Sequence, residues 1–201
     1  MLVVFSYPTA VIDEASAINA LFDEGLEILH LRKTRASVDE IKVLIEKIKP
    51  QYSYKIALHQ HHELAVNFGI NRLHFTEAKR NEMGEEALTA LCEENNLSTS
   101  IHQVEFYESL SFSFNYTFFG PVFNSISKQG YTSSLKDDFL FPVKKNLPKV
   151  IAIGGVNATN IHRVKQMQFD GAATLGTIWQ KPGEIIQQFK ALQKAWEQAG
   201  R

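Results

Sequence analysis

Seven histidines occur in these 201 residues, and three of them fall within His59-Gln60-His61-His62. Imidazole serves both as a metal ligand and as an acid–base near neutral pH. In an extended strand neighbouring side chains point to opposite faces, so His59 and His61 share a face that His62 does not. No cysteine joins them, and the one nearby carboxylate, Glu63, begins the next helix, so no metal is expected there. His102 ends the alternating run Ser98-Thr99-Ser100-Ile101-His102, where an imidazole can exchange protons with a bound molecule. It is the catalytic candidate, although a strand-end histidine also suits a purely structural hydrogen bond.

Other strand ends carry anion chemistry. In Val150-Ile151-Ala152-Ile153-Gly154-Gly155-Val156 the two glycines let backbone N–H groups approach an anion closely, and phosphate is the natural guest. Gly176-Thr177 closes a later run in the same manner, although both glycine sites would equally relieve crowding at tight turns. Arg32 either holds an anion with its planar fork or closes an interior ion pair. His59, Gln60 and Ser100 are further candidate pocket residues. The polar interval 123–134 is a candidate substrate loop with Ser125, Ser127 and Lys128, whose lysine meets a phosphate or is simply solvated.

Eight short apolar runs supply these ends: Leu2 to Ser6, Ile28 to Arg32, Lys55 to His59, Arg72 to Phe75, Ser98 to His102, Tyr116 to Phe119, Val150 to Ile153 and Gly171 to Leu175. Each precedes a stretch with helical periodicity, including one after His102, and this alternation is the signature of βα units on a parallel sheet. Ser37-Val38-Asp39-Glu40 is a capping box, Asn157 caps a helix through Ile161 and Val164, and Gly183 to Trp196 carries an apolar helical stripe. The expected fold is an α/β single (β/α)8 barrel, with residues 1–201 as one domain and ligands held at the strand C-termini. An open doubly wound sheet is the competing architecture. Its Gly-x-Gly-x-x-Gly turn is missing after the first strand, where Tyr7-Pro8-Thr9-Ala10 follows.

A formal charge of −1 leaves no basic surplus for nucleic acid or an anionic membrane, and neither is an expected partner. One cysteine, Cys92, excludes an intrachain disulfide and suits the cytoplasm. No apolar run approaches the roughly 18–20 residues of a membrane span. Exposed barrel helices can form interfaces between copies, so a homo-oligomer is compatible with the sequence.

The chain resembles the thiamine phosphate synthase and TenI superfamily over nearly its whole length. The landmarks are 25–33 (GLEILHLRK), Glu63-Leu64-Ala65, Leu73-His74, Ser100-Ile101-His102, 120–128 (GPVFNSISK), Ile153-Gly154-Gly155-Val156 and Asp170-Gly171. The resemblance implies a phosphorylated thiazole as ligand, with its phosphate near Gly154, Gly155, Gly176 and Thr177 and with Lys128 close by. Synthases of the family join a pyrimidine diphosphate to thiazole phosphate, using magnesium held by acidic residues. Here those positions align with Gln60 and Lys79, which cannot replace carboxylates toward a hard cation. The TenI-like branch is similar in lacking the acids and keeping a histidine at His102, and its thiazole tautomerases move a proton without metal. The expectation is a tautomerase needing no cofactor, with a magnesium-dependent synthase and a noncatalytic thiazole-phosphate-binding regulator as alternatives.

Overall fold

The computed structural model describes residues 1–110, 113–124, 135–136, 138–143 and 145–199. Eight strands, β1 (Leu2–Phe5), β2 (Ile28–Leu31), β3 (Ile56–Leu58), β4 (Arg72–Phe75), β5 (Asn96–Ile101), β6 (Phe114–Phe119), β7 (Lys149–Ile153) and β8 (Gly171–Thr174), form one closed barrel. Every neighbouring pair is parallel, and closure comes from β8 pairing with β1, with Leu2 opposite Ala172 and Val4 opposite Thr174. All eight expected runs are strands, within one or two residues of the expected bounds, and the closed barrel excludes the open sheet.

Alternation along the strands makes two cores. Val3, Phe5, Ile28, Ala57, Tyr116, Phe118, Ile151 and Ala173 fill the barrel, whereas Leu2, Val4, Leu29, Leu31, Ile56 and Leu58 face outward against helices. The helices are α1 (Glu14–Asp23), α2 (Val38–Glu46), α3 (Leu64–Phe68), α4 (Glu77–Met83), α5 (Glu85–Cys92), α6 (Ile161–Gln166), α7 (Gly176–Trp179) and α8 (Ile185–Gln198). The capping box forms at α2: the Glu40 N–H donates to Ser37 Oγ at 3.3 Å and the Ser37 N–H to Glu40 Oε2 at 2.8 Å. Asn157 Oδ1 accepts from the N–H groups of Thr159 and Asn160 and folds the turn that leads into α6. Ile185, Phe189 and Leu192 bury one face of α8, which starts after a 3-10 turn at Pro182–Glu184.

Among the described residues between His102 and β6, a 3-10 turn, Val104–Phe106, stands in place of the expected helix. Its aromatic and serine-rich sequence has weak helix propensity, and Tyr107 is buried with its hydroxyl on the Pro148 carbonyl, which anchors the segment by packing. Phe119, Phe139, Phe141 and Phe169 complete this wall as a cluster of ring contacts. Among the described residues no helix is long and apolar enough to cross a membrane.

Candidate active site

Strand C-termini converge on one cavity of about 330 Å³ at the barrel mouth, within the range of small-molecule sites. Arg32, His59, Ser100, His102, Gly154, Gly155, Gly176 and Thr177 all line it, joined by Phe5, His74, Glu77 and Phe118. Gln60 does not: the amide of its half-buried side chain donates to the Lys33 carbonyl. Lys33 itself is buried on Glu14, with Nζ 2.5 Å from Oε2. Ser125, Ser127 and Lys128 lie outside the described residues.

His102 stands at the rim, 62% exposed, with Nδ1 3.1 Å from Glu77 Oε2. A carboxylate at Nδ1 fixes the neutral ring as the Nδ1–H tautomer and leaves the Nε2 lone pair available as a base. Glu77 opens α4 after the Thr76 cap, whose Oγ1 accepts from Lys79 N. Sequence reasoning passed over Glu77 in favour of Lys79, two residues further on. Position did hold a signal, because Glu77 follows a strand end across from another strand-end candidate.

Gly154 and Gly155 have φ of +103° and +66°, which favours glycine at both places. A Cβ on Gly154 would lie 2.7 Å from Pro121 Cα, and one on Gly155 would lie 2.3 Å from the Asn124 carbonyl oxygen. The loops after β6 and β7 therefore touch, sealed by N–H donation from Val122 to Ile153 O and from Phe123 to Gly154 O. Relief of crowding is thus an observed role of this pair, alongside its place in the cavity wall. Gly176 and Thr177 form the first turn of α7, where leading N–H groups have no carbonyl within the helix. The Thr177 hydroxyl donates to Val156 O at 2.6 Å, so its side chain braces the loop after β7.

The floor joins His59 to two imidazoles, His30 and His74, that sequence reasoning did not place in the site. His30 Nδ1 lies 2.8 Å from His59 Nε2, and His30 Nε2 lies 2.7 Å from the Tyr116 hydroxyl. His74 stacks on His59 with centroids 4.0 Å apart, its two nitrogens facing Ser98 Oγ at 3.0 Å and Ser100 Oγ at 3.3 Å. Burial lowers all three rings, His30 and His59 well below their ordinary value and His74 to about 3. Burial likewise pushes Tyr116 up to about 12. Period-two spacing from Arg32 back to His30 was the available sign, since both face inward. His61 and His62 leave the group: His61, at φ 55°, turns to the Ala36 carbonyl and Glu63, and His62 to the Leu58 carbonyl.

Magnesium requires oxygen ligands. Of the two positions where acids would be expected, Gln60 is spent on a backbone carbonyl, and Lys79 pairs with Glu82 at 3.2 Å. Among the described residues Glu77 is the one carboxylate lining the cavity, and His102 engages it. These residues do not fit a magnesium–diphosphate site.

With this geometry fixed, the family model for thiamine monophosphate synthase matches residues 2–178. The chain belongs to that family. A thiamine phosphate pyrophosphorylase from Bacteroides thetaiotaomicron is 26% identical, with a TM-score of 0.74 over 98% of this chain and 97% of its own. A thiamine phosphate pyrophosphorylase from Pyrococcus furiosus shares the fold at 16% identity, with a TM-score of 0.76 over 98% of this chain and 96% of that one. The 3-hexulose-6-phosphate synthase from Salmonella typhimurium also shares it, at 13% identity and a TM-score of 0.71 over 99% and 100%. No curated protein matches the chain.

Proposed function

We propose that this family member is a cytoplasmic, metal-independent thiazole tautomerase that converts a carboxythiazole phosphate isomer to its aromatic form. The observation that carries the reading is the His102–Glu77 pair at the rim of a cavity with no second carboxylate among its described lining residues. His102 Nε2 removes a proton from one substrate carbon, the electron pair of that bond enters the ring π system, and a proton returns at another carbon. Glu77 holds Nδ1–H throughout and stabilises the imidazolium that forms. Gly155 and the opening N–H groups of α7 at Gly176 and Thr177 take the phosphate, with Gly154 shaping the turn. Arg32 has no hydrogen bond or ion pair from its guanidinium to a described residue, which supports a role as anion fork for the carboxylate rather than as an interior ion-pair partner.

A synthase reading is favoured by one observation, the likeness to the Bacteroides pyrophosphorylase. Proton NMR of the carboxythiazole phosphate isomer with purified protein in chelator separates the two. The expected result is isomerisation that falls about 10²–10⁴-fold in His102→Ala. Thiamine phosphate formed only with magnesium and the pyrimidine diphosphate would establish the synthase instead. Thiazole phosphate bound without turnover in either reaction would make the chain a binding protein.

A further inference from the structure

We propose that the floor of the barrel mouth binds a divalent transition-metal ion of the zinc class through His30, His59 and His74. One ring nitrogen from each histidine lies within 4.8 Å of the others. A tetrahedral ion with metal–nitrogen bonds near 2.0–2.1 Å holds its ligands about 3.3 Å apart. The His30–His59 contact of 2.8 Å opens by roughly half an ångström to admit the ion in place of a shared proton. His74, now stacked on His59, turns out of that stack so that separations of up to 4.8 Å shorten toward the tetrahedral spacing, keeping one of its two serine contacts and giving up the other.

The protonation state suits ligation. Metal-bound imidazoles must be neutral, and burial holds all three rings in that form. Two of the three ligands already have a supporting partner, and a ligating histidine usually engages such a partner through its other nitrogen. Tyr116 fills this role for His30, and Ser98 or Ser100 for His74. Phe5 and Phe118 pack against the His30 ring and limit its rotation.

Three protein ligands leave one position open, and His59 and His74 line the cavity, so that position faces the bound molecule. Arg32 and Arg72 act on the rings electrostatically, and no carboxylate belongs to the group. A dication here therefore takes an anionic fourth ligand, hydroxide or an oxygen of a cavity-bound anion. Donors that are all imidazole select zinc, copper, nickel or iron over magnesium. The site is thus distinct in chemistry and residues from an acidic magnesium site. It does not depend on the tautomerase reading, which concerns His102 at the rim.

The test is a cobalt(II) titration of the untagged, chelator-treated full chain, followed by the visible bands of four-coordinate cobalt. One equivalent should saturate the absorbance, and zinc should displace it. His59→Ala and His74→Ala should each weaken uptake at least about tenfold to a hundredfold, whereas His61→Ala should leave it unchanged. Absence of a saturating band in the wild type overturns the proposal whatever the variants do. So does a titration of His59→Ala that saturates at the same cobalt concentration as the wild type, or a band that disappears in His61→Ala. Isomerisation in chelator is read separately, so either conclusion can fail without the other.

Discussion

Acidification should destabilise this barrel well before its carboxylates titrate. The unfolded chain's histidines take up protons below about pH 6.5, whereas His74 in the folded state waits until about pH 3. Between these values the unfolded state binds more protons, so stability falls as pH falls. At pH 5 the penalty from His74 alone is about 2 kcal/mol, approaching about 1.4 kcal/mol for each further pH unit. His30 and His59 are depressed in the same direction and steepen the loss, while Glu14, pushed up by burial, opposes it through a single group. Total stabilities of roughly 5–15 kcal/mol make this a large fraction. Urea unfolding followed by circular dichroism, repeated from about pH 8 to about pH 5, measures it. Wild type should lose about 2 kcal/mol more than His74→Gln over that interval. Identical pH dependence in the two proteins would show that His74 accepts a proton in place and that the argument from burial is wrong.

Glu77→Gln should lower tautomerase kcat by about tenfold or less, because an exposed pair is weakly coupled, and should add nothing in a His102→Ala background. A double-mutant cycle in the NMR assay checks this, and additive losses would give Glu77 a separate task. Lys33→Met strands the buried Glu14 carboxylate. It should cost about 3–5 kcal/mol in urea unfolding, most of it recovered by adding Glu14→Leu. Gly155→Ala forces a Cβ toward the Asn124 carbonyl at positive φ. A loss of about 1–3 kcal/mol and weaker inorganic phosphate binding by calorimetry are expected.

The barrel was legible because eight short apolar runs each precede a stretch of helical periodicity, and that signal is local. Strand-end candidates such as Arg32, His102 and Gly155 met in the cavity for the same reason, since the fold sends every strand's C-terminus to one face. Gln60 lies outside the cavity lining because its amide donates to the Lys33 carbonyl in the loop after β2, a partner 27 residues away that local sequence does not reveal. His61 does not share a face with His59 as alternation suggested, because the chain leaves extended geometry at His61, where φ is 55°. Strand pairing brings β2, β3 and β4 side by side, uniting His30, His59 and His74, while the turn after β3 carries His61 and His62 away. The 3-10 turn in place of a helix after His102 reflects tertiary override, with Tyr107 and the phenylalanine wall supplying burial that a helix would otherwise provide.

Pairing of β8 with β1, reinforced by the Trp179 indole donating to the Phe5 carbonyl across 174 residues, bears on how the chain is made. Of the barrel's eight strands, β1 emerges first during synthesis and its partner β8 last. Until residues beyond Trp179 leave the ribosome, the nascent sheet has two unpaired apolar edges, one on β1 and one on whichever strand came last. Such edges invite pairing with other chains. A ribosome stalled before β8 has emerged therefore presents a sticky, unclosed sheet, and chaperone demand should peak there rather than when β1 alone is out. Together β8 and α7 act as the clasp of the barrel.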